Sequence, residues 1–167
     1  MPRFVIEPLG PKHDRASFSC GVEILGAYLK KQAGQDLKKR VAVTFVLTPD
    51  GTTVAGYYTL SQYSVQLDEI PAAVAKKLPK YPMVPAMLLG RLAVSSAFRG
   101  QGHGVALLMD ALYRTLQHSR EVASAGVIVD AKDATAFAFY KKYGFLELPR
   151  VDRRLLLPRG TVEQLFL

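Results

Sequence analysis

A short glycine-rich run near the middle of the chain constrains the fold more than any other part of the sequence. It lies between an apolar segment and a segment with helical periodicity, and its residues are Arg99, Gly100, Gln101, Gly102, His103 and Gly104. Glycine permits positive φ angles and leaves the backbone N–H groups uncovered. A turn into a helix N-terminus also offers free N–H groups and the positive end of the helix dipole. The run therefore predicts a strand–turn–helix unit that binds phosphate, with Arg99 adding positive charge.

The spacing of this run, Arg-x-x-Gly-x-Gly, separates it from two other phosphate-binding loops. It lacks the Lys-Ser/Thr ending of a P-loop, and its glycines do not fit the dinucleotide-binding fingerprint. A nucleoside triphosphate site is therefore not expected. Without its surroundings, the run is equally consistent with an ordinary connection between a strand and a helix.

Length and composition favour a single globular domain. The 167 residues are 49% apolar, which is enough for a sizeable core in one domain over residues 1–167. No apolar stretch approaches the roughly 18–20 residues that cross a bilayer, and the N-terminus does not resemble a signal peptide, so we expect a cytoplasmic protein. Cys20 is the only cysteine, which excludes an internal disulfide and a cysteine-rich metal site.

The chain is strongly basic, with 22 lysines and arginines against 14 acidic residues and a net charge of +8. Such a charge attracts polyanions, and RNA is a candidate, although a basic protein without a nucleic-acid partner is the alternative. Arg91 lies inside an apolar segment and needs a partner, either an internal carboxylate or an RNA phosphate. Each lysine taken singly is also explained as a solvated surface charge. The candidate RNA contacts are Lys30, Lys31, Lys38, Lys39, Arg40, Lys76, Lys77, Lys80 and Arg91.

Hydrophobic periodicity and turn residues predict a mixed α/β fold. An apolar stripe with spacings of three and four residues marks a first helix over residues 19–40, and Asp133 and Gly144 suit the start and stop of a later helix. Gly90 and Arg91 interrupt one of the strands. The other predicted strands and helices cover residues 41–47, 53–67, 72–78, 86–94, 104–119, 126–130, 145–148 and 154–157.

Two segments around this pattern resemble the GNAT superfamily of N-acetyltransferases: the strand ending Arg-Leu-Ala-Val before the glycine-rich run, and residues 133–145 with their Tyr-x-x-x-Gly-Phe ending. The resemblance implies a mostly antiparallel central sheet flanked by helices. It also implies that the glycine-rich run binds the pyrophosphate of acetyl-coenzyme A, and that Leu92, Ala93 and Val94 pair with the pantetheine arm. No metal ion is expected.

A narrower resemblance is to the GNAT toxins of bacterial toxin–antitoxin modules. It rests on short segments at residues 18–21, 56–61, 89–94 and 129–133 and on the proline-rich connection at 68–85. Those toxins acetylate the α-amine of an amino acid attached to tRNA and so stop translation. The resemblance implies a ribbon-helix-helix antitoxin as partner and a homodimer, which would also cover the apolar C-terminal residues 162–167.

The resemblance places Tyr140 near the thioester sulfur, where its phenol would give a proton to the leaving thiolate. The residue also lies on a helical stripe of aromatic side chains, so packing is the alternative role. An α-amine has a reference pKa of about 7.7–8.0 and needs little help to become neutral, unlike a lysine amine at about 10.4. Residues 87–92 contain no acid, which favours an aminoacyl ester as acceptor, although Asp68, Glu69 or a water could still act as base.

Two alternatives to this function remain open from the sequence. The enzyme could acetylate a small-molecule or protein amine instead of aminoacyl-tRNA, or the domain could bind coenzyme A without catalysis. His103 is expected either to face solvent within the loop or to touch a phosphate. Cys20 is read as a buried or helix-start residue, because direct transfer needs no acyl-enzyme.

Overall fold

Seven strands and six α-helices form the part of the chain that the computed structural model describes, residues 3–167. The strands are β1 (Val5–Pro8), β2 (Val43–Thr48), β3 (Gly56–Gln66), β4 (Met83–Val94), β5 (Gly126–Asp130), β6 (Leu146–Glu147) and β7 (Arg154–Pro158). The helices are α1 (Glu23–Ala27), α2 (Ala33–Lys38), α3 (Ala72–Ala75), α4 (His103–His118), α5 (Ala134–Lys142) and α6 (Arg159–Gln164). No helix within residues 3–167 is both long and apolar enough to cross a membrane.

The strands form one sheet in the order β1-β2-β3-β4-β5-β7-β6. The pairs β1–β2, β2–β3, β5–β7 and β6–β7 are antiparallel. The pair β4–β5 is parallel, with Met87 opposite Val127 and Leu89 opposite Val129. The predicted fold class, a mixed and mostly antiparallel sheet with helices, is confirmed.

The chain packs as two compact units. The first unit comprises the chain up to Ser61 together with Gly90–Ala111. Its core contains Leu29, Val46 and Tyr57, each fully buried, and the Tyr57 hydroxyl donates a 2.7 Å hydrogen bond to the carbonyl oxygen of Leu25. This bond satisfies a buried polar group and joins β3 to α1.

The second unit comprises Gln62–Leu89 together with Leu112–Leu167. Ile128 and Leu148 are fully buried in its core. At the end of β5, Arg154 donates from Nε and Nη2 to the two carboxylate oxygens of Asp130, at 2.8 and 3.0 Å. This bidentate contact joins β5 to β7. The structure divides the chain into these two compact units, and the single domain over residues 1–167 stays a prediction.

The first helix differs from the prediction of one continuous helix over residues 19–40. It begins at Glu23, because Gly21 has a φ of +80°, which a right-handed helix does not accommodate. A π-helical turn, Tyr28–Gln32, separates α1 from α2. The predicted apolar stripe is nevertheless correct, since Leu29 is fully buried, and the wider turn lets Tyr28 face the core as well.

Two strand boundaries were also predicted wrongly. Strand β4 is continuous through Gly90 and Arg91 and begins at Met83, three residues before the predicted start. The earlier start is possible because the Pro85 carbonyl oxygen accepts a 2.8 Å hydrogen bond from the Ala125 N–H. Strand β3 begins at Gly56 instead of residue 53. The preceding turn is longer because Asp50 accepts bonds from the Thr53 and Thr52 N–H groups and from the Thr53 hydroxyl, which lower the pKa of Asp50 to about 2.

The C-terminal half follows the prediction more closely. Strand β5 has the predicted bounds, and Asp133 caps α5 by accepting a 2.8 Å bond from the Ala136 N–H. Gly144, with a φ of +96°, ends that helix as expected. The C-terminal residues form α6, in which Val162 is buried, whereas the apolar side chain of Leu167 is 96% exposed.

We predict that Gly126→Ala destabilises the protein. A Cβ atom at this position would lie 2.4 Å from the Leu157 carbonyl oxygen, which belongs to the paired strand β7 and cannot move alone. The free energy of unfolding should fall by about 1–3 kcal/mol, as for other overpacked sites, and urea unfolding would measure it.

Gly160→Ala is the matched control, because a Cβ atom there meets no atom within 4 Å and alanine favours the helix α6. It should leave stability unchanged or raise it slightly. Equal stability of the two variants would contradict the close approach of β5 and β7 at Gly126.

Candidate active site

The turn from β4 into α4 is open on the side where a ligand would bind. Gly100 and Gly102 have φ angles of +76° and +80°, a conformation that favours glycine. A Cβ atom at either position would meet no atom within 4 Å. The backbone is therefore accessible to an anion, and the first turn of α4 adds unpaired N–H groups. A diphosphate fits these donors and the positive charge of Arg99.

A segment before α1 holds this turn in place. The carbonyl oxygen of Ser19 accepts bonds from the Ser96 N–H at 2.8 Å and from the Ser95 hydroxyl at 3.3 Å. The Arg99 guanidinium donates from Nη2 to the carbonyl oxygen of Cys20. Gly21 follows, and a Cβ atom there would lie 2.9 Å from Arg99 Nη2. The position of the Arg99 charge is thus fixed by backbone atoms far away in the sequence.

His103 does not face solvent, so the first of its two expected roles was wrong, and contact with a phosphate stays a prediction. It is the first residue of α4 and is only 9% exposed. Its ring packs against Phe4 at a centroid distance of 4.4 Å and against Phe98 at 6.2 Å. The burial follows from these two aromatic side chains, neither of which the glycine pattern could indicate.

The end of β4 contains the residues predicted to pair with pantetheine. Ala93 is buried in the core of the first unit, whereas Leu92 and Val94 are half-buried. The β4 residues that pair with β5 are Met87–Leu89, so the three predicted residues lie beyond that register. Their role in coenzyme binding stays a prediction.

Arg91 has an aromatic partner that the sequence did not reveal. Its guanidinium carbon lies 3.6 Å from the centroid of the Tyr28 ring, a cation–π contact. The Tyr28 hydroxyl donates a 2.7 Å bond to Asp36, and the Gln32 amide donates a 2.9 Å bond to the same carboxylate. Bonds from Gln32 and Tyr28 and the charge of Arg91 lower the pKa of Asp36. The internal carboxylate, Asp36, therefore contacts the hydroxyl group of the ring that covers Arg91.

Exposed basic side chains follow the first helix. They are Lys30, Lys31, Lys38, Lys39 and Arg40. Lys30 and Lys31, together with residues 18–23 and the first turns of the helix, line a cavity of about 490 Å³. The predicted RNA contacts Lys30, Lys31, Lys38, Lys39, Arg40 and Arg91 belong to the first unit, which also contains the glycine-rich turn at residues 99–104 (the phosphate turn). The predicted contacts Lys76, Lys77 and Lys80 are exposed side chains of the second unit.

Tyr140 belongs to α5 in the second unit. The residue is 7% exposed and packs against Phe139 and Phe145, each at a centroid distance of 5.3 Å. Burial raises the pKa of its phenol. Within residues 3–167 its hydroxyl has no hydrogen-bond partner. The side chain is thus packed, as its aromatic stripe indicated, and its hydroxyl remains able to donate a proton to a ligand.

The two acids considered as possible bases are both engaged by arginines in the second unit. Arg150 contacts Asp68 at 2.8 Å, and Arg154 contacts Glu69 at 3.6 Å. Glu69 also accepts a bond from the Gln66 N–H. Glu69 is nearly buried in its contact, whereas the Asp68 and Arg150 side chains form a surface pair and are each about 60% exposed.

A comparison with known families identifies the class of protein. The acetyltransferase (GNAT) domain matches residues 40–147. The chain therefore belongs to the GNAT acetyltransferase family, as its strand–turn–helix unit and its sheet already indicated. The predicted enzyme class, with acetyl-coenzyme A as co-substrate, is confirmed.

Individual relatives narrow the comparison. A probable TacT toxin of Sinorhizobium fredii is 32% identical over 96% of this chain and 94% of its own length. A tRNA-acetylating toxin of Mycobacterium tuberculosis is 35% identical over 86% of this chain and 85% of its own. These two relatives lie within the family and match nearly the whole chain.

Solved structures resemble the fold closely. The AtaT toxin complexed with acetyl-methionyl-tRNAfMet has a TM-score of 0.92, 29% identity, and coverage of 99% of this chain and 100% of that one. A variant of AtaT bound to acetyl-coenzyme A and the C-terminus of its antitoxin AtaR has a TM-score of 0.83, 28% identity, and 98% coverage of both chains.

We predict that Gly102→Ala weakens coenzyme A binding at least tenfold. The substitution forces alanine into a positive φ and places a methyl group in the open side of the turn. Isothermal titration with coenzyme A would measure the affinity.

The control is Gly10→Ala, where a Cβ atom also meets nothing within 4 Å and no left-handed conformation is required. Its affinity for coenzyme A should equal that of the wild type. Wild-type affinity in Gly102→Ala would show that the diphosphate does not approach this side of the turn.

Proposed function

We propose that this acetyltransferase is a toxin that acetylates the α-amine of amino acids carried by tRNA. Two relatives are named as a TacT toxin and a tRNA-acetylating toxin, and a close structural neighbour is complexed with an acetylated initiator tRNA. The observation on this chain that carries the proposal is the row of exposed basic side chains along the first helix, which belongs to the unit that contains the phosphate turn. A coenzyme with three phosphate groups does not require that much basic surface, whereas an RNA substrate does.

The binding of the co-substrate falls to the first unit in this proposal. The turn at Gly100 and Gly102 would hold the diphosphate with backbone N–H groups and with Arg99, which Cys20 keeps in place. The backbone of Leu92, Ala93 and Val94 would pair with the pantetheine arm. Acetyl-coenzyme A supplies the activated acetyl group, and the protein supplies orientation and donors.

The acceptor amine requires little from the protein. An α-amine with a pKa of about 7.7–8.0 is at least half neutral at pH 8, so it attacks without a dedicated carboxylate base. Residues 87–92 provide no acid, and Asp68 and Glu69 are held by arginines. Tyr140 is the proposed proton donor to the leaving thiolate, because its raised pKa keeps the phenol protonated.

The partners of this enzyme are also proposals. Because a neighbour is bound to its antitoxin, we propose a ribbon-helix-helix antitoxin that neutralises this chain. We also propose a homodimer, in which exposed apolar side chains such as Leu165 and Leu167 would be covered. A cytoplasmic location follows from the proposed substrate, since charged tRNA is a cytoplasmic molecule.

The decisive experiment incubates the enzyme with acetyl-coenzyme A and total charged tRNA and identifies N-acetylated aminoacyl products by mass spectrometry. Acetylated aminoacyl-tRNA is expected, and its formation should fall steeply with salt because lysines contact phosphates. Lys30→Gln combined with Lys31→Gln should raise the KM for tRNA and reduce that salt dependence.

The charge-matched control combines Lys132→Gln with Arg120→Gln, which removes two exposed charges from the second unit. This control should behave like the wild type. Acetylation of small amines at high salt, without any modified aminoacyl-tRNA, would instead assign the enzyme to a small-molecule or protein substrate.

Tyr140→Phe should lower the rate of acetyl transfer about 10²- to 10⁴-fold, the usual contribution of a general acid. Affinity for coenzyme A should change less than twofold, because only a hydroxyl is removed from a packed ring. Expression of the wild type should arrest growth, and this variant should relieve the arrest.

Tyr143→Phe provides the matched control at the C-cap of the same helix, since Tyr143 also packs against Phe139. Its rate should stay near that of the wild type. A fully active Tyr140→Phe enzyme would remove Tyr140 from the mechanism and leave it a packing residue.

A further inference from the structure

Three rings form a small cluster beneath the phosphate turn. This aromatic cluster consists of Phe4, Phe98 and His103. Phe4 and Phe98 meet edge to face at 6.0 Å, and the His103 ring lies 4.4 Å from Phe4. The cluster fixes the plane of the imidazole at the first residue of α4.

The imidazole has one polar contact that leaves the cluster. Its Nε2 atom lies 3.2 Å from the side-chain oxygen of Gln101. An amide oxygen only accepts hydrogen bonds, so the ring nitrogen donates to it. The contact therefore orients the Gln101 carboxamide, with its NH₂ group left free to donate elsewhere.

Gln101 lies between the two glycines that keep the turn open. Gly100 and Gly102 both have positive φ angles, and both have open space beside the α-carbon. The Gln101 side chain is exposed. A free NH₂ group at this place adds a neutral donor to the backbone N–H groups of the turn.

We propose that His103 is a positioning residue that holds the Gln101 carboxamide so that its NH₂ group binds the diphosphate of coenzyme A. The inference rests on the proposed placement of the coenzyme at this turn. The Gln101 carboxamide would add a side-chain donor to the backbone donors of the turn. His103 and the aromatic cluster would link that donor to Phe4, near the N-terminus.

Packing alone does not explain a histidine at this position. A phenylalanine or leucine would fill the space beside Phe4 and Phe98 and bury no polar atom. A buried imidazole loses hydration at a cost, which a hydrogen bond offsets. The bond to Gln101 supplies this compensation at one ring nitrogen, and its geometric consequence is the fixed amide.

The test measures coenzyme A binding by isothermal titration without RNA, for His103→Phe, Gln101→Ala and the double variant. His103→Phe keeps a ring in the aromatic cluster and removes the donor. Each single variant should weaken binding by about three- to tenfold, the value of one ordinary hydrogen bond. The double variant should be no weaker than the weaker single variant, because both remove the same contact.

A second measurement separates positioning from a general structural defect. Acetyl-pantetheine lacks the diphosphate, so kcat/KM for this truncated donor with an aminoacyl acceptor should be equal in His103→Phe and wild type. With acetyl-coenzyme A, His103→Phe should raise KM and leave kcat unchanged. His118→Phe, the same substitution at the other end of α4, should match the wild type in every measurement.

Nitrogen NMR of the imidazoles gives a further readout, the tautomer of the His103 ring in the wild-type protein. The neutral His103 ring should carry its hydrogen on Nε2, and its signals are assigned by their loss in His103→Phe. If that variant fails to fold, Gln101→Ala at an exposed position still tests the contact. Gln101→Ala should weaken coenzyme A binding and change the tautomer of the His103 ring.

Several results would overturn the proposal: additive losses in the double variant, equal losses with acetyl-pantetheine, or a neutral ring with its hydrogen on Nδ1. The binding and NMR outcomes are independent of the acceptor, because both are measured without tRNA. Failure to acetylate aminoacyl-tRNA would therefore reject the proposed function and leave this inference standing.

Discussion

Two backbone carbonyl groups, those of Ser19 and Cys20, hold the turn that is proposed to bind the coenzyme. A phosphate-binding turn must keep its own N–H groups free, so it cannot gain rigidity by bonding them to the protein. The carbonyls instead bind the start of the turn, through the Ser96 N–H and the Arg99 guanidinium. The same requirement gives Gly21 its positive φ and delays the start of α1 to Glu23. The phosphate turn and the entry to the first helix are therefore one structural unit.

The π-helical turn solves a different problem, the presence of a charge in an apolar strand. Arg91 of β4 would be costly to bury without a partner. The wider turn brings Tyr28 to the core side of the helix, where its ring covers the guanidinium. Asp36 then accepts from the Tyr28 hydroxyl, and burial together with this bond raises the pKa of Tyr28 to about 12. The Arg91 guanidinium thus contacts the face of the Tyr28 ring, and Asp36 contacts the hydroxyl of that ring. Arg91 itself is half-buried.

The parts of this structure that the sequence predicted are those determined by local patterns. The apolar stripe of the first helix, the bounds of β5 and the Asp133 cap each depend on residues within a few positions of one another. The openness of the glycine-rich turn is also local, since it follows from the absence of side chains. These features required no knowledge of distant contacts.

The late starts of β3 and α1 have local causes, at Asp50 and Gly21, and the other errors concern contacts between distant residues. No periodicity near His103 indicates that Phe4 covers its ring, and no pattern in β4 indicates that Tyr28 receives Arg91. A π-helical turn likewise has no sequence signature of its own, because it arises when packing favours an extra residue in a turn. The open backbone of the glycine-rich turn could therefore be predicted, whereas the side chains that pack against it could not.

The proposed division of labour in catalysis follows from the ionisation of the two reacting groups. The α-amine loses its proton near neutral pH, with a reference pKa of about 7.7–8.0, so the protein has no need of a strong base. The proton donor must stay protonated while the amine is neutral, and burial of Tyr140 raises the pKa of its phenol above the usual value of about 10. That shift makes the phenol a weaker acid toward a thiolate. A thiolate that leaves in an equally apolar place is itself destabilised, because burial disfavours its charged form. The pKa of the thiol therefore rises together with that of the phenol, and the difference between the two pKa values becomes smaller. One buried phenol then suffices for a reaction in which the acceptor supplies its own lone pair.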